Sequence, residues 1–226
     1  QDGYILTCAH VVSGATSVKV QLNGSDQSYD ATVVGVDSTS DIAVLKIDAT
    51  GLTPAVIGDS DKLAVGETTV AVGNPLGTLS NTVTQGIVSA LNRQVTVEDN
   101  NMTLIQTDTS ISPGNSGGGL FNANGELIGV VNAKSSYSEA EGIGFAIPIN
   151  TAMAQQLIEN GAVARPVLGV SILDVQDSTT AQQYGVSALG VYVADVTKGG
   201  GAEAAGVQRG DRIIAIDDTA VSSTST

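Results

Sequence analysis

Up to about Pro148 the chain runs through short apolar and β-branched segments separated by glycine- and asparagine-bearing turns, with no long stretch of helical periodicity. No other feature constrains the fold as much. Residues 4–6, 17–22, 31–37 and 42–47 read as one group of strands, punctuated by Asn23-Gly24 and Gly51. Residues 69–72, 82–91, 104–106, 127–133 and 144–147 read as a second group. Parallel neighbours need long crossovers, usually helical, and the spacing leaves no room for them. The pattern therefore predicts a mainly β fold of antiparallel barrels. Composition agrees: 42% of residues are hydrophobic and only 14% charged, which favours a packed core over disorder.

A helix is expected over residues 151–159. Asn150 would cap its start, Asn160-Gly161 would end it, and Ala154, Leu157 and Ile158 share one face that should pack on the preceding domain. Arg165-Pro166 marks a boundary. Beyond it, Gly190-Val191-Tyr192-Val193 reads as a strand, residues 199–207 as a loop and short helix, and residues 210–217 as a turn and strand. The chain thus divides into a domain at 1–149, a helix and linker at 150–166, and a second domain at 167–226. It opens at Gln1 close to a strand and stops at Thr226 after a Ser/Thr run, so both domains are expected to be incomplete.

A formal net charge of −14 argues against nucleic acid as a partner, because phosphate binding needs lysine and arginine in quantity. Cys8 is the single cysteine, so no intrachain disulfide forms, and no Cys/His cluster has zinc-site spacing. No apolar run approaches the length of about 18 residues that a spanning helix needs.

The chemistry-bearing residues are few. His10 is the only histidine and sits in Ile5-Leu6-Thr7-Cys8-Ala9-His10-Val11-Val12. Asp41 stands at the mouth of the apolar run Ile42-Ala43-Val44-Leu45, and Ser116 lies within Ser112-Pro113-Gly114-Asn115-Ser116-Gly117-Gly118. Taken singly, each has a plain structural reading: a packed histidine, a turn-forming aspartate, a serine in a glycine-rich hairpin. Taken together, His-Asp-Ser in this order is one of the chain orders of the catalytic triad of serine peptidases. In that arrangement His10 takes the Ser116 proton, Asp41 fixes the imidazole tautomer, and the N–H groups of Gly114 and Ser116 form the oxyanion hole. No metal or organic cofactor is required. Asp108, just before the nucleophile loop, is a rival for the triad acid.

The motifs Leu6-Thr7-Cys8-Ala9-His10-Val11-Val12, Asp41-Ile42-Ala43-Val44-Leu45-Lys46, Gly73-Asn74-Pro75-Leu76-Gly77, Thr84-Gln85-Gly86-Ile87-Val88-Ser89, Gln106-Thr107-Asp108, the Ser116 segment and Gly142-Ile143-Gly144-Phe145-Ala146-Ile147-Pro148 occur in the order found in the HtrA (Deg-type) serine proteases, which the chain resembles along nearly its whole length. The resemblance implies a trypsin-like double antiparallel β-barrel followed by a partial PDZ domain. It implies that Asp108 orders the loop before the nucleophile. It also implies a substrate site built by Ile111, Asn132, Ala133, Lys134, Ile143, Gly144 and Ala146, none of them a carboxylate, so small or medium aliphatic side chains would be favoured. In the second domain Val167-Leu168-Gly169-Val170 corresponds to the loop that receives a peptide C-terminal carboxylate. Implied partners are unfolded polypeptides, peptide C-termini and further copies of the chain in a homotrimer or larger assembly, at an extracytoplasmic location. The runner-up is a protease-fold chaperone or peptide binder with little turnover. Three residues depart from the family: Gly119 replaces a usual proline and is expected to loosen the following strand, Val167 stands where a tyrosine is common, and Cys8, where asparagine or alanine is common, reads either as a redox-sensitive thiol or as a small buried hydrophobe.

Overall fold

The computed structural model describes residues 2–79, 81–97, 100–133, 142–152, 154–165 and 167–224. They divide into two compact units, Gln1–Ala164 and Arg165–Thr226.

The first unit opens with β1 (Tyr4–Cys8), the single turn α1 (Ala9–Val12), β2 (Val18–Gln21), β3 (Ser28–Asp37) and β4 (Ile42–Ile47). These strands form an antiparallel sheet in the order β1-β4-β3-β2. β4 is central and nearly continuous in apolar residues because both of its faces are covered. Ile42 and Val44 join one core cluster, and Ala43 and Leu45 join another with Val12. Among the described residues this sheet is open.

The second sheet contains β5 (Val56–Ile57), β6 (Thr68–Gly73), β7 (Thr82–Val97), β8 (Asn100–Thr107), β9 (Gly119–Asn122), β10 (Glu126–Asn132) and β11 (Gly144–Pro148). Its order is β11-β8-β7-β6-β9-β10-β5, and β10 also pairs with β11. Six antiparallel strands therefore close into a barrel, which removes exposed backbone edges. Val88, Ile105, Leu120, Ile128 and Val131 fill one of its core clusters. β5 is an addition that the sequence reading omits. It lies parallel to β10, through Val56↔Glu126 and Ile57↔Leu127.

Two expectations about local structure are revised. Gly119 does not loosen its strand: it pairs with Val130 on one side and Val72 on the other. A Cβ there would come within 2.5 Å of the Phe121 ring, so the glycine makes room for that ring. The helix expected at 151–159 is α2 (Ala154–Asn160), preceded by a 3₁₀ turn at Ile149–Thr151. Asn150 does not cap it. Its Nδ2 donates to Asp59 Oδ1 at 2.8 Å and its Oδ1 accepts from Ser60 N–H at 3.4 Å, because the 3₁₀ turn directs that side chain across to residues 59–60. The apolar face is as expected: Leu157 is fully buried, with Ala154 and Ile158 packed against the same cluster. The helix ends with Gly161 N–H on Leu157 O at 3.0 Å.

The second unit has β12 (Val170–Val175), α3 (Ser178–Tyr184), β13 (Gly190–Val196), α4 (Gly201–Ala204), β14 (Arg212–Ile213), β15 (Ala215–Ile216) and β16 (Thr219–Ala220). β12, β13 and β14 form one sheet, and β15 pairs with β16. Val175, Ala181 and Tyr192 make the core. The sequence reading omits α3, although its start signal is present: Asp177 Oδ1 accepts from the N–H groups of Thr179 at 2.8 Å and Thr180 at 2.9 Å. The single strand expected within 210–217 is broken at Ile214 into β14 and β15. Among the described residues no helix is long and apolar enough to cross a membrane.

Candidate active site

Strand register brings His10 and Asp41 together. Cys8, the last residue of β1, pairs with Ile42, the first of β4. The chain then turns into α1 with Ala9 N–H on Asp41 O at 3.0 Å. Asp41 has a left-handed backbone, φ 54°. Such a conformation costs on the order of 1–3 kcal/mol unless its surroundings impose it. Here both carboxylate oxygens are held. Oδ1 accepts the His10 backbone N–H at 2.9 Å, and Oδ2 lies 2.6 Å from His10 Nδ1. Oδ2 also accepts from Asn132 Nδ2 at 2.9 Å. The His10 and Asp41 side chains are 16% and 11% exposed, so these contacts lie in a largely dry environment where they are strengthened.

Ser116 sits on a loop tied to β10. Gly117 N–H donates to Val131 O at 2.9 Å, and Val131 N–H donates to Gly118 O at 2.8 Å. Gly117 has φ +83°, and a Cβ there would collide with Thr7 Oγ1 on β1. The glycine thus lets the nucleophile loop approach the histidine strand closely. Ser116 Oγ accepts from Ala133 N–H at 3.1 Å. Among the described residues no hydrogen bond joins it to His10, and the N–H groups of Gly114 and Ser116 have no partner. His10 and Asp41 line a recess of about 360 Å³ with Val33, Val36, Asn100 and Met102, while Ser116 and Gly114 line a groove of about 910 Å³ with Thr7 and Val11.

Asp108 lies elsewhere. Its Oδ1 accepts from Ile87 N–H at 2.7 Å, which ties the segment before the nucleophile loop to β7. Beside it, Thr69, Thr107 and Thr109 form a buried hydroxyl cluster, with Thr69 Oγ1 2.9 Å from Thr107 Oγ1 and 2.6 Å from Thr109 Oγ1. The sequence reading missed this cluster. Its only signal was a pair of strand threonines, Thr69 and Thr107, with Thr109 just beyond the end of β8. Cys8 is fully buried and its Sγ–H donates to Val131 O at 3.3 Å. Burial, followed by the neighbouring Asp41 charge, pushes the thiol pKa far above its ordinary value. The thiol therefore stays protonated and packs as a small hydrophobe, not as a reactive thiolate.

The residues expected to contact substrate scatter. Ile111 lies directly over Gly144, whose added Cβ would sit 2.6 Å from Ile111 Cγ1. Ile143 is half-buried against the larger core cluster, and Ala133 is buried with its N–H on Ser116. Asn132 is 1% exposed and its side-chain Nδ2 donates to Asp41 Oδ2 at 2.9 Å. Ala146 is fully buried inside the barrel, between its β8 and β10 partners Ile105 and Val131. Lys134 lies outside the described residues. In the second unit Val167 and Leu168 are exposed, Gly169 has φ +77°, and Val170 begins β12. The carbonyls of Leu168 and Gly169 are taken by Ala202 and Thr197 N–H, whereas the N–H groups of Leu168 and Gly169 have no partner among the described residues.

The sequence matches the trypsin-like peptidase domain family over residues 1–130 and the PDZ domain family over residues 166–226. Fold and sequence together define a trypsin-like peptidase domain followed by a PDZ domain. The serine protease Do-like HtrA of Bacillus subtilis is 43% identical over 228 residues, covering 94% of this chain and 51% of the relative. A probable periplasmic serine endoprotease DegP-like of Halomonas elongata is 43% identical over 229 residues, covering 100% of this chain and 48% of the relative. A solved HtrA-type protease, AlgW with a decapeptide, superposes with a TM-score of 0.76 at 39% identity, covering 98% of this chain and 68% of that one. The chain belongs to the HtrA family of trypsin-like serine proteases, and it spans about half the length of the curated relatives it matches.

Proposed function

We propose that the protein is a serine endopeptidase that cleaves unfolded or misfolded polypeptides outside the cytoplasm. Residues 1–149 act as the protease domain, 150–166 as the connection and 167–226 as a PDZ domain. The observation that carries the reading is the His10 Nδ1 to Asp41 Oδ2 contact of 2.6 Å, made by the chain's only histidine. That contact holds the hydrogen on Nδ1 and leaves Nε2 free to take a proton. The Ser116 hydroxyl attacks a peptide carbonyl as His10 accepts its proton, and the Gly114 and Ser116 amides receive the oxyanion. His10 then returns the proton to the leaving amine, and water repeats the sequence on the acyl-enzyme. Asp108 orders the loop. Ile111, Asn132, Ala133, Lys134, Ile143 and Gly144 are assigned to the substrate site from the sequence, and because none of them is a carboxylate an aliphatic side chain suits it. The free amides of Leu168 and Gly169 favour capture of a peptide C-terminus by residues 167–170. The proposal includes a homotrimer or larger assembly and an extracytoplasmic location; the name of one relative, a probable periplasmic serine endoprotease, supports the location.

One observation favours the runner-up, a protease-fold chaperone with little turnover: Ser116 Oγ is engaged by Ala133 N–H and not by His10. Cleavage of unfolded casein and labelling by a serine-reactive phosphonate separate the two. Turnover and labelling are expected, and Ser116→Ala should abolish both, with a loss on the order of 10⁶ in kcat. Retention of more than about one per cent of activity by that variant overturns the nucleophile assignment.

A further inference from the structure

We propose that Cys8, His10 and Asp41 form an inhibitory site for a thiophilic divalent cation, with Zn²⁺ as the natural probe. The inference rests on the peptidase reading for its effect on turnover, but not for the binding itself. The Cys8 Sγ, a His10 ring nitrogen and an Asp41 carboxylate oxygen all lie within 4.8 Å of one another. Tetrahedral zinc, with bonds of about 2.0–2.3 Å, holds such donors about 3.3–3.6 Å apart. The His10 to Asp41 contact of 2.6 Å must open by about 1 Å or less, and the Cys8 Sγ, within 4.8 Å of both, must approach by no more than about 1.2 Å. One sulfur, one imidazole nitrogen and one carboxylate oxygen is a donor set suited to zinc.

The backbone already arranges these donors. Cys8 and Asp41 flank the paired ends of β1 and β4, and the Ala9 N–H to Asp41 O bond of 3.0 Å locks the turn that carries His10. His10 and Asp41 line the 360 Å³ recess, through which a cation reaches these two donors, with the buried Cys8 thiol behind them. Charge also fits. The Asp41 carboxylate, within 4.8 Å of the Cys8 sulfur, attracts a cation to the thiol. Zn²⁺ with one thiolate and one carboxylate is neutral, so burial no longer opposes deprotonation.

The proton balance explains inhibition. The thiol releases its proton to solvent as the S–Zn bond forms. The imidazole moves its hydrogen from Nδ1 to Nε2, so that Nδ1 can bind the metal. Nε2 then carries a hydrogen and cannot accept the serine proton, and Asp41 is withdrawn from orienting the ring.

The test has two arms. Co²⁺, as a spectroscopic substitute, is titrated into the Ser116→Ala chain. A thiolate-to-cobalt charge-transfer band is expected, absent in Ser116→Ala/Cys8→Ser. In the second arm Zn²⁺ is titrated against casein turnover. It should inhibit the unsubstituted chain reversibly, with activity restored by EDTA. Cys8→Ser keeps a donor for Val131 O and should raise the half-inhibitory concentration at least tenfold, with turnover without metal within about twofold. Cys8→Ala serves if the serine variant unfolds. A missing cobalt band, or equal Zn²⁺ inhibition with and without the thiol, overturns the site. A band without any casein turnover leaves the site standing and overturns the peptidase reading instead.

Discussion

Asp41→Asn isolates orientation of the imidazole from backbone geometry. Asparagine tolerates the left-handed φ of 54° about as well as aspartate, so the change adds little strain, unlike alanine. The carboxylate accepts three hydrogen bonds, two from His10 and one from Asn132, and every partner is a donor. An amide has one accepting end. If its oxygen keeps the His10 backbone N–H, its NH₂ faces both His10 Nδ1 and Asn132 Nδ2. His10 is then driven to the tautomer with its hydrogen on Nε2, and Asn132 loses its acceptor. The flipped amide would instead oppose the rigid backbone N–H of His10, which cannot turn away. The first orientation therefore wins. The wrong tautomer costs about 10⁴ in kcat, equivalent to about 5.4 kcal/mol of barrier. Loss of that buried Asn132 Nδ2 to Asp41 Oδ2 hydrogen bond costs a further 1–3 kcal/mol or so of folding stability. Casein turnover normalised to folded protein, with thermal unfolding alongside, measures both. A loss below tenfold in kcat in a folded variant would refute Asp41 as the orienting acid. So would a larger loss for Asp108→Asn, whose side chain can still accept the Ile87 N–H.

Asn132→Ala should lower kcat about tenfold with little change in KM, because Asp41 Oδ2 loses a buried donor worth about 1.5–3 kcal/mol; unchanged kcat would mean that the contact only packs. Gly117→Ala must tolerate φ +83° and a collision with Thr7 Oγ1, so it should destabilise the fold by about 1–3 kcal/mol and displace Ser116, lowering turnover about 10²-fold. Wild-type turnover and melting temperature in that variant would show that the loop does not depend on close contact with β1. Leu157→Ala, at a fully buried position, should cost about 2–5 kcal/mol in denaturant unfolding, and a loss under about 1 kcal/mol would mean that α2 does not share the first unit's core.

The sequence by itself determined the mainly β class, most of the longer strands and the short list of residues able to carry chemistry. The β-branched apolar run Ile42-Ala43-Val44-Leu45 reads as a buried strand, and a single histidine leaves one candidate imidazole base. Local signals that compete were less legible. Asn150 satisfies every rule for a helix cap, yet its amide is claimed by Asp59 and Ser60, some 90 positions earlier, and no local pattern records that. Val56–Ile57 is too short to show a strand period and pairs only because β10 lies beside it. Tertiary structure alone decided how the candidate site is supported. Asn132 reaches Asp41 across 91 positions, and Gly117 is required because Thr7 lies against it. Barrel closure through β10 and β11 buries Ala146 and turns Asn132 inward. Sequence spacing fixes the period of a strand but not its phase against distant strands, and that phase determines which side chains meet the acid and which face the groove.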